Sequence, residues 1–340
     1  MKAVLVRSLD DIEVIEMPVP VIGPGELLVE MKAVGLCGSD LAPWYVASKA
    51  PAVLGHEPAG VVAAVGKGVT AFRAGDRIFV HHHAACGHCR FCDAGDSVMC
   101  PEWKPNRLRP GGLAEFFVAD AATVVTDTLL IPDGLSFEDG ALAEPVACAL
   151  TAVDRAAVRP GDTAAVIGLG SSGVLLGLLA REAGAARLVG SDPDPARREG
   201  ALRLGFDRVL DPADGLAKAA KEESAGRGAD AVFVLPYASS AFEAAMEAAA
   251  AGGRVVFYSP VPPETRWSLA PHTAYLRDLT LRFSYSCGAG ELRRAMALVE
   301  KGIVRADRIV THRVPLERAA EAFRLARARG GVLKVMVTNQ

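Results

Sequence analysis

Between residues 2 and about 147 the apolar positions fall in short runs cut by glycine and proline. The runs 2–6, 11–17, 26–34, 60–65, 76–81 and 114–119 are β-rich and end at turns such as Gly23-Pro24-Gly25 and Ala74-Gly75-Asp76. Few segments in this region carry a helical period, so a mostly antiparallel β-barrel or sandwich-like domain is expected. Near Thr151 the pattern changes. Strand-like runs at 163–167, 187–191, 208–210, 231–235, 254–258 and 280–284 alternate with helical segments at about 171–183, 195–204, 214–225 and 239–251. Alternation of this kind, with helices ending at Gly184 and Gly205, predicts a parallel sheet covered on both faces. Six strands is the count of a full dinucleotide-binding sheet. A tail of helix (291–301), extended piece (309–314), helix (316–327) and strand (332–337) is too small to fold alone. It is expected to return to the first domain, giving domains at 1–147, 148–285 and 286–340.

A chain of 340 residues exceeds one comfortable core, in keeping with two domains. A net charge of -3 argues against a nucleic-acid groove or an anionic membrane as the main partner. The opening run 1–7 is too short for a secretory leader. The apolar run 164–180 contains a glycine-rich turn, so burial between protein layers explains it better than a bilayer does. A cytoplasmic location is expected. The seven cysteines are uneven: Cys86, Cys89, Cys92 and Cys100 cluster, while Cys37, Cys148 and Cys287 stand alone. An odd count without a leader points to reduced thiols or metal ligands.

Three motifs carry chemistry. Gly168-Leu169-Gly170-Ser171-Ser172-Gly173 follows a strand and opens a helix, and Asp192 lies 19 residues beyond Gly173 at the end of the next strand. Glycines let the backbone approach a pyrophosphate at the helix N-terminus, and the acid binds an adenosine ribose. Asp192 would repel a 2′-phosphate, which favours NAD over NADP; Arg197 and Arg198 lie close enough to weaken that preference, or belong to a solvated helix face. Cys86-x-x-Cys89-x-x-Cys92 with Cys100 has the spacing of a closed four-thiolate zinc site, a structural one. An iron–sulfur cluster is the competing metal, and His88 is a bystander or competing ligand. Cys37, His56 and Glu57 supply the three donor types of a catalytic zinc with an open position, in glycine-rich turns. Glu144, in an apolar run, is a further carboxylate that could be a direct ligand or hold a zinc-bound water. Asp40 is a natural acceptor for the other nitrogen of His56.

With these residues in place the chain resembles the zinc-dependent medium-chain alcohol and polyol dehydrogenases over essentially its whole length. The most specific marks are G-H-E-x-x-G-x5-G-x-x-V, from Gly55 through Gly60 and Gly66 to Val69, and the four-cysteine lobe. The resemblance implies a GroES-like β-barrel catalytic domain joined to a Rossmann domain, α/β plus β, with the active site in a cleft. It implies Cys37, His56 and Glu57 as catalytic zinc ligands, and Glu144 as the polyol branch's fourth ligand or water holder. Two zinc ions per chain and a dimer or tetramer are expected, with a secondary alcohol or polyol, or the matching ketone, as substrate. The chain departs from the family at Ala42 and Pro43, where polyol relatives often carry His and Tyr. The proton relay then ends at Ser39 and water, or uses another histidine. His81, His82 and His83 close a strand, where one can face the cleft or all belong to an exposed turn. Two other readings stand against this one: a zinc-free enone or quinone reductase of the same superfamily, and a non-catalytic dinucleotide-binding protein.

Overall fold

The computed structural model describes every residue except Asn106, Arg329 and Gln340. The chain forms two compact units. One comprises Met1–Ala147, Cys287–Ala328 and Lys334–Gln340; the other comprises Cys148–Ser286 and residues 329–333.

The first unit is built on an eight-stranded sheet. Its path runs Val310–Pro315, Lys334–Thr338, Leu27–Gly35, Pro58–Val65, Arg77–Val80, Thr128–Leu130, with Phe116–Ala119 also paired to Leu27–Gly35 and Leu108–Arg109 paired to Phe116–Ala119. Neighbours run antiparallel except the last two strands of the chain, which pair parallel. A smaller sheet joins Asp11–Glu16, Lys2–Ser8 and Ala52–Val53. The strand Leu27–Gly35 is central. Leu27, Val29 and Met31 are buried and alternate with half-buried residues, the period of two expected of a sheet with one face on the core. From Ala33 to Gly35 every residue is buried, and this is the end where the site lies.

Register decides what meets there. Gly35 pairs with Met336, and Val34 pairs with Pro58. Lys334 and Glu57 are thereby brought to opposite sides of Gly35. The glycine is required: a Cβ there would stand 1.9 Å from Glu57 Oε2 and 2.7 Å from Lys334 Cε.

Asp139 ties in the C-terminal segment. Ser136 and Asp139 form a capping box that starts the helix Phe137–Ala141. Asp139 also accepts the Ala306 backbone N–H at 2.8 Å, across 167 residues of sequence. Burial alone would raise the Asp139 pKa, but the N–H groups of Ala306 and Ser136, the Ser136 hydroxyl and Arg305 hold it below the ordinary carboxylate range.

The second unit holds a six-stranded, wholly parallel sheet in the order Arg208–Leu210, Arg187–Ser191, Thr163–Ile167, Ala229–Val234, Ala249–Phe257, Thr280–Phe283. The chain order reverses between Thr163–Ile167 and Ala229–Val234, the place where doubly wound sheets open a ligand crevice. All five residues of Thr163–Ile167 are buried, as a strand covered on both faces must be.

Two boundaries differ from expectation. The helix expected to reach residue 251 is Ser239–Ala248, and Ala249 already pairs with Ala229 in the sheet. Alanine favours a helix intrinsically, but ladder pairing beside Ala229–Val234 outweighs that preference. The helix expected from 214 begins at Leu216, because Gly215 adopts φ +84° and separates it from a 3₁₀ turn at Pro212–Asp214. Pro43–Lys49 and Ala143–Ala156 are helices in regions read from the sequence as β-rich or connecting.

Asp139→Ala is expected to lower stability at pH 7 by about 1–3 kcal/mol, the cost of leaving buried N–H groups unpaired. The folded-state pKa is depressed, so the acid's contribution is present above its unfolded pKa of about 3.9 and fades as pH falls through the lower folded value. Urea unfolding of both proteins at pH 7 and near pH 3 checks this; the difference should shrink at the lower pH.

Candidate functional site

In the second unit the turn Gly168–Gly173 joins the strand Thr163–Ile167 to the helix Ser171–Glu182. Gly168 has φ +94°, and a Cβ on Gly173 would lie 1.9 Å from the Gly168 carbonyl oxygen, so neither position accepts a larger residue. The helix cap, Gly170, offers no side chain to the first-turn N–H groups, leaving them for an anion. Asp192 is buried. Its Oδ2 accepts the Leu169 N–H at 2.7 Å and its Oδ1 accepts the Asp194 N–H at 2.8 Å. The acid is therefore held rigidly beside the glycine turn. Arg197 Nη1 stands 3.9 Å from Asp192 Oδ2, and Arg197 Nε is buried with no hydrogen-bond partner. Arg198 is committed elsewhere, donating to the Asp192 carbonyl at 2.6 Å and to Asp211 at 3.0 Å.

In the first unit Cys86, Cys89, Cys92 and Cys100 converge, their sulfurs all within 4.8 Å of one another. The Cys89–Cys92 and Cys86–Cys92 sulfur pairs are 3.6 and 4.0 Å apart. Tetrahedral zinc with Zn–S bonds of about 2.3 Å requires sulfurs about 3.8 Å apart, so the donor set fits. Backbone N–H groups of Cys92 and Phe91 help pull the Cys89 thiol down to about 6, toward the thiolate a metal needs. Trp103 and Val98 pack against the sulfurs as a small core for a lobe with little regular structure. His88 is exposed and donates to the Cys86 carbonyl at 2.8 Å, outside the sulfur group.

The second metal-competent group is Cys37, His56 and Glu57, whose donor atoms lie within 4.8 Å of one another. Cys37 follows the end of the strand Leu27–Gly35, and His56 and Glu57 precede Pro58–Val65, so the central strand pair positions all three. Asp40, buried in the 3₁₀ turn Ser39–Leu41, organises the group. Its Oδ2 accepts the Cys37 N–H at 3.1 Å, and its Oδ1 lies 3.4 Å from His56 Nδ1. With Nδ1 so held, His56 keeps Nε2 for a metal, the carboxylate–histidine–metal arrangement. Burial would lower the His56 pKa, yet Asp40 and Cys37 raise it well above the ordinary value, a measure of the negative charge gathered there.

Sequence reasoning missed Lys334. Its ammonium lies 2.7 Å from Glu57 Oε1 and 2.5 Å from Oε2, and both side chains are buried. Burial opposes the charge on Lys334, but Glu57 and Cys37 raise its pKa above the ordinary lysine value, so the lysine is charged. The signal was present in the sequence: a single cation inside the apolar run 332–337.

Glu144 is close enough for its charge to act on Glu57 and Lys334. It stands on the helix Ala143–Ala156, and its carboxylate groups with His81 and His82 within 4.8 Å. Neither histidine is in an exposed turn: His81 is 0% exposed and His82 is half-buried. Burial would depress His81, but Cys287 and Asp127 push it up to about 10. Burial and the neighbouring His83 and His81 hold His82 well below the usual imidazole value, hence neutral. Ser39 is half-buried and opens the turn that carries Asp40, while Ala42 and Pro43 occupy the positions next to it.

Fold and donor sets together define a nicotinamide-dinucleotide-binding, zinc-binding oxidoreductase. Residues 23–133 match the alcohol dehydrogenase GroES-like domain, and residues 168–301 match the zinc-binding dehydrogenase family. The chain is 30% identical to sorbitol dehydrogenase of Bacillus subtilis, over 99% of this chain and 97% of that one. It is 34% identical to D-altritol 5-dehydrogenase of Agrobacterium fabrum, over 91% of this chain and 90% of that one. The crystal structure of 2R,3R-butanediol dehydrogenase from Bacillus subtilis superimposes with a TM-score of 0.88 at 26% identity, covering 100% of this chain and 99% of that one. The chain belongs to the zinc-dependent medium-chain dehydrogenases, in their alcohol and polyol branch. Among the described residues, no helix is long and apolar enough to cross a membrane.

Lys334→Met is expected to destabilise the protein by about 3–5 kcal/mol, because it strands a buried carboxylate. The double variant Glu57→Gln/Lys334→Met should recover most of that loss, since it leaves no lone charge. Urea unfolding of the two variants beside the parent measures both effects; equal stability of the two variants would contradict the ion-pair assignment.

Proposed function

We propose that the chain oxidises a secondary alcohol or polyol with NAD, and reduces the matching ketone in reverse, using one catalytic and one structural zinc. The observation that carries this reading is the convergence of Cys37, His56 and Glu57 in a chain of this family. These three would hold the catalytic zinc, with Glu144 near enough to raise the Glu57 pKa, although burial is the larger cause. Cys86, Cys89, Cys92 and Cys100 would hold the structural zinc. The first unit, with its C-terminal return, acts as the catalytic domain, and the six-stranded unit carries the cofactor.

When bound, zinc supplies the Lewis acidity that makes a hydroxyl acidic, lowering the pKa of a bound water to about 7, and the nicotinamide accepts the hydride. The protein's own groups do the rest. Asp40 fixes the His56 tautomer and, through the Cys37 N–H, the placement of the thiolate. Lys334 neutralises Glu57, so the donor set carries less net negative charge than its carboxylates alone suggest. Ser39, beside Asp40, takes the substrate's hydroxyl proton toward solvent in place of the histidine absent at Ala42. Gly168, Leu169, Gly170, Ser171, Ser172 and Gly173 cradle the pyrophosphate, and Asp192 accepts from the adenosine ribose. That acid disfavours a 2′-phosphate, while Arg197 moderates the preference.

The zinc-free reductase reading is disfavoured by the complete thiol, imidazole and carboxylate set. A dimer or tetramer is proposed through the edge strand Thr280–Phe283, which carries exposed Phe283, and the helix Pro271–Leu276 before it, which carries exposed Tyr275 and Leu276. A cytoplasmic location follows from four thiols gathered as metal donors.

NADH formation at 340 nm over a panel of sugar alcohols, vicinal diols and simple secondary alcohols tests the activity. Cys37→Ala and His56→Ala should each lose one zinc and about 10³-fold in kcat/KM, corresponding to several kcal/mol of Lewis-acid stabilisation. Full activity on enones without zinc would favour the reductase reading, and no turnover across the panel would favour a binding protein. Asp192→Ala should narrow the preference for NAD over NADP.

A further inference from the structure

We propose that His81, His82 and Glu144 form a further divalent-cation position, separate from the Cys37–His56–Glu57 set and suited to a first-row ion such as zinc. Their donor atoms lie within 4.8 Å of one another, and two imidazoles with a carboxylate are a ligand set that zinc accepts.

The placement of His81 is that of a metal ligand. It follows the strand Arg77–Val80, and its backbone N–H donates to the Asp127 carbonyl at 3.0 Å. Its Nδ1 lies 3.4 Å from Asp127 Oδ1. The other oxygen of Asp127 is taken by the Thr126 hydroxyl, so Oδ1 remains directed at the imidazole. This reproduces the His56–Asp40 pair, also at 3.4 Å, in which a buried carboxylate holds Nδ1 and leaves Nε2 to a metal. Asp127 and the Cys287 thiol act on the buried His81 ring, and Nδ1 of His82 is buried with no hydrogen-bond partner. Buried polar atoms are ordinarily paired, so an orphaned imidazole nitrogen within a cluster of metal donors calls for a ligand.

Charge balance points the same way. Asp40, Glu57, Asp127 and Glu144 are buried carboxylates, and Lys334 is the only buried lysine or arginine among the described residues. With Cys37 as thiolate, one divalent ion beside Lys334 leaves this region negative, and a second removes the surplus. The two positions adjoin through His56 and His82, whose ring centroids are 4.9 Å apart.

The test counts zinc per chain in the full-length protein after equilibration in a zinc-buffered solution and gel filtration. The parent should hold a third equivalent beyond the four-thiolate and Cys37 positions. His81→Gln and His82→Gln should each lose that equivalent alone, while Cys37→Ala and Cys92→Ala lose theirs and keep it. Replacement by Co²⁺ should give the third equivalent d–d bands without thiolate charge transfer, and His82→Gln should abolish them. A parent that saturates at two, or histidine variants that bind as much metal as the parent, overturns the inference. In those outcomes the Cys37→Ala and Cys92→Ala counts still report on the first two zinc positions. If His81→Gln does not fold, the half-buried His82→Gln carries the comparison.

Discussion

The buried pair of Glu57 and Lys334 is the constraint on which the first unit turns. Two charges taken out of water cost several kcal/mol each unless they meet with good geometry. Here the meeting is enforced by sheet register: Met336 opposite Gly35, and Val34 opposite Pro58. The hydrogen-bonding ladder, the glycine that clears the space and the ion pair are therefore one arrangement. Shifting any of the three strands by a single residue would turn the side chains to the other face and leave a charge alone in the interior.

The same pair sets the character of the metal-competent group. Cys37 and Glu57 alone would match the charge of a divalent ion, and Lys334 cancels one of them. Asp40 adds negative charge from outside the donor set, and together with Cys37 it raises the His56 pKa against the effect of burial. Specificity for a cation is thus distributed over the surroundings and does not reside in the three donors alone.

How much of this was legible depended on whether the information is local. The glycine turn, Asp192 and the four cysteines are local patterns whose spacing reports the geometry, and the alternation of strand and helix fixed the six-stranded parallel sheet. Strand edges shifted where pairing competed with propensity, as at Ala249. What could not be read was contact between residues distant in the chain. Lys334 meets Glu57 across 277 residues, and His81 meets Asp127 across 46. Glu144 was recognised as an unusual acid in an apolar run, but no periodicity could say that His81 and His82 would be among its neighbours.

The position of Lys334 in the chain has a consequence for how the protein is made. The strand Lys334–Thr338 inserts between Leu27–Gly35 and Val310–Pro315, so the central strand of the first unit gains this neighbour only after the whole six-stranded unit has been synthesised. During translation the whole six-stranded unit emerges first, while Glu57 waits without its counter-ion. A chain broken off before Lys334 would leave Glu57, and with it the metal-competent centre, without its charge partner.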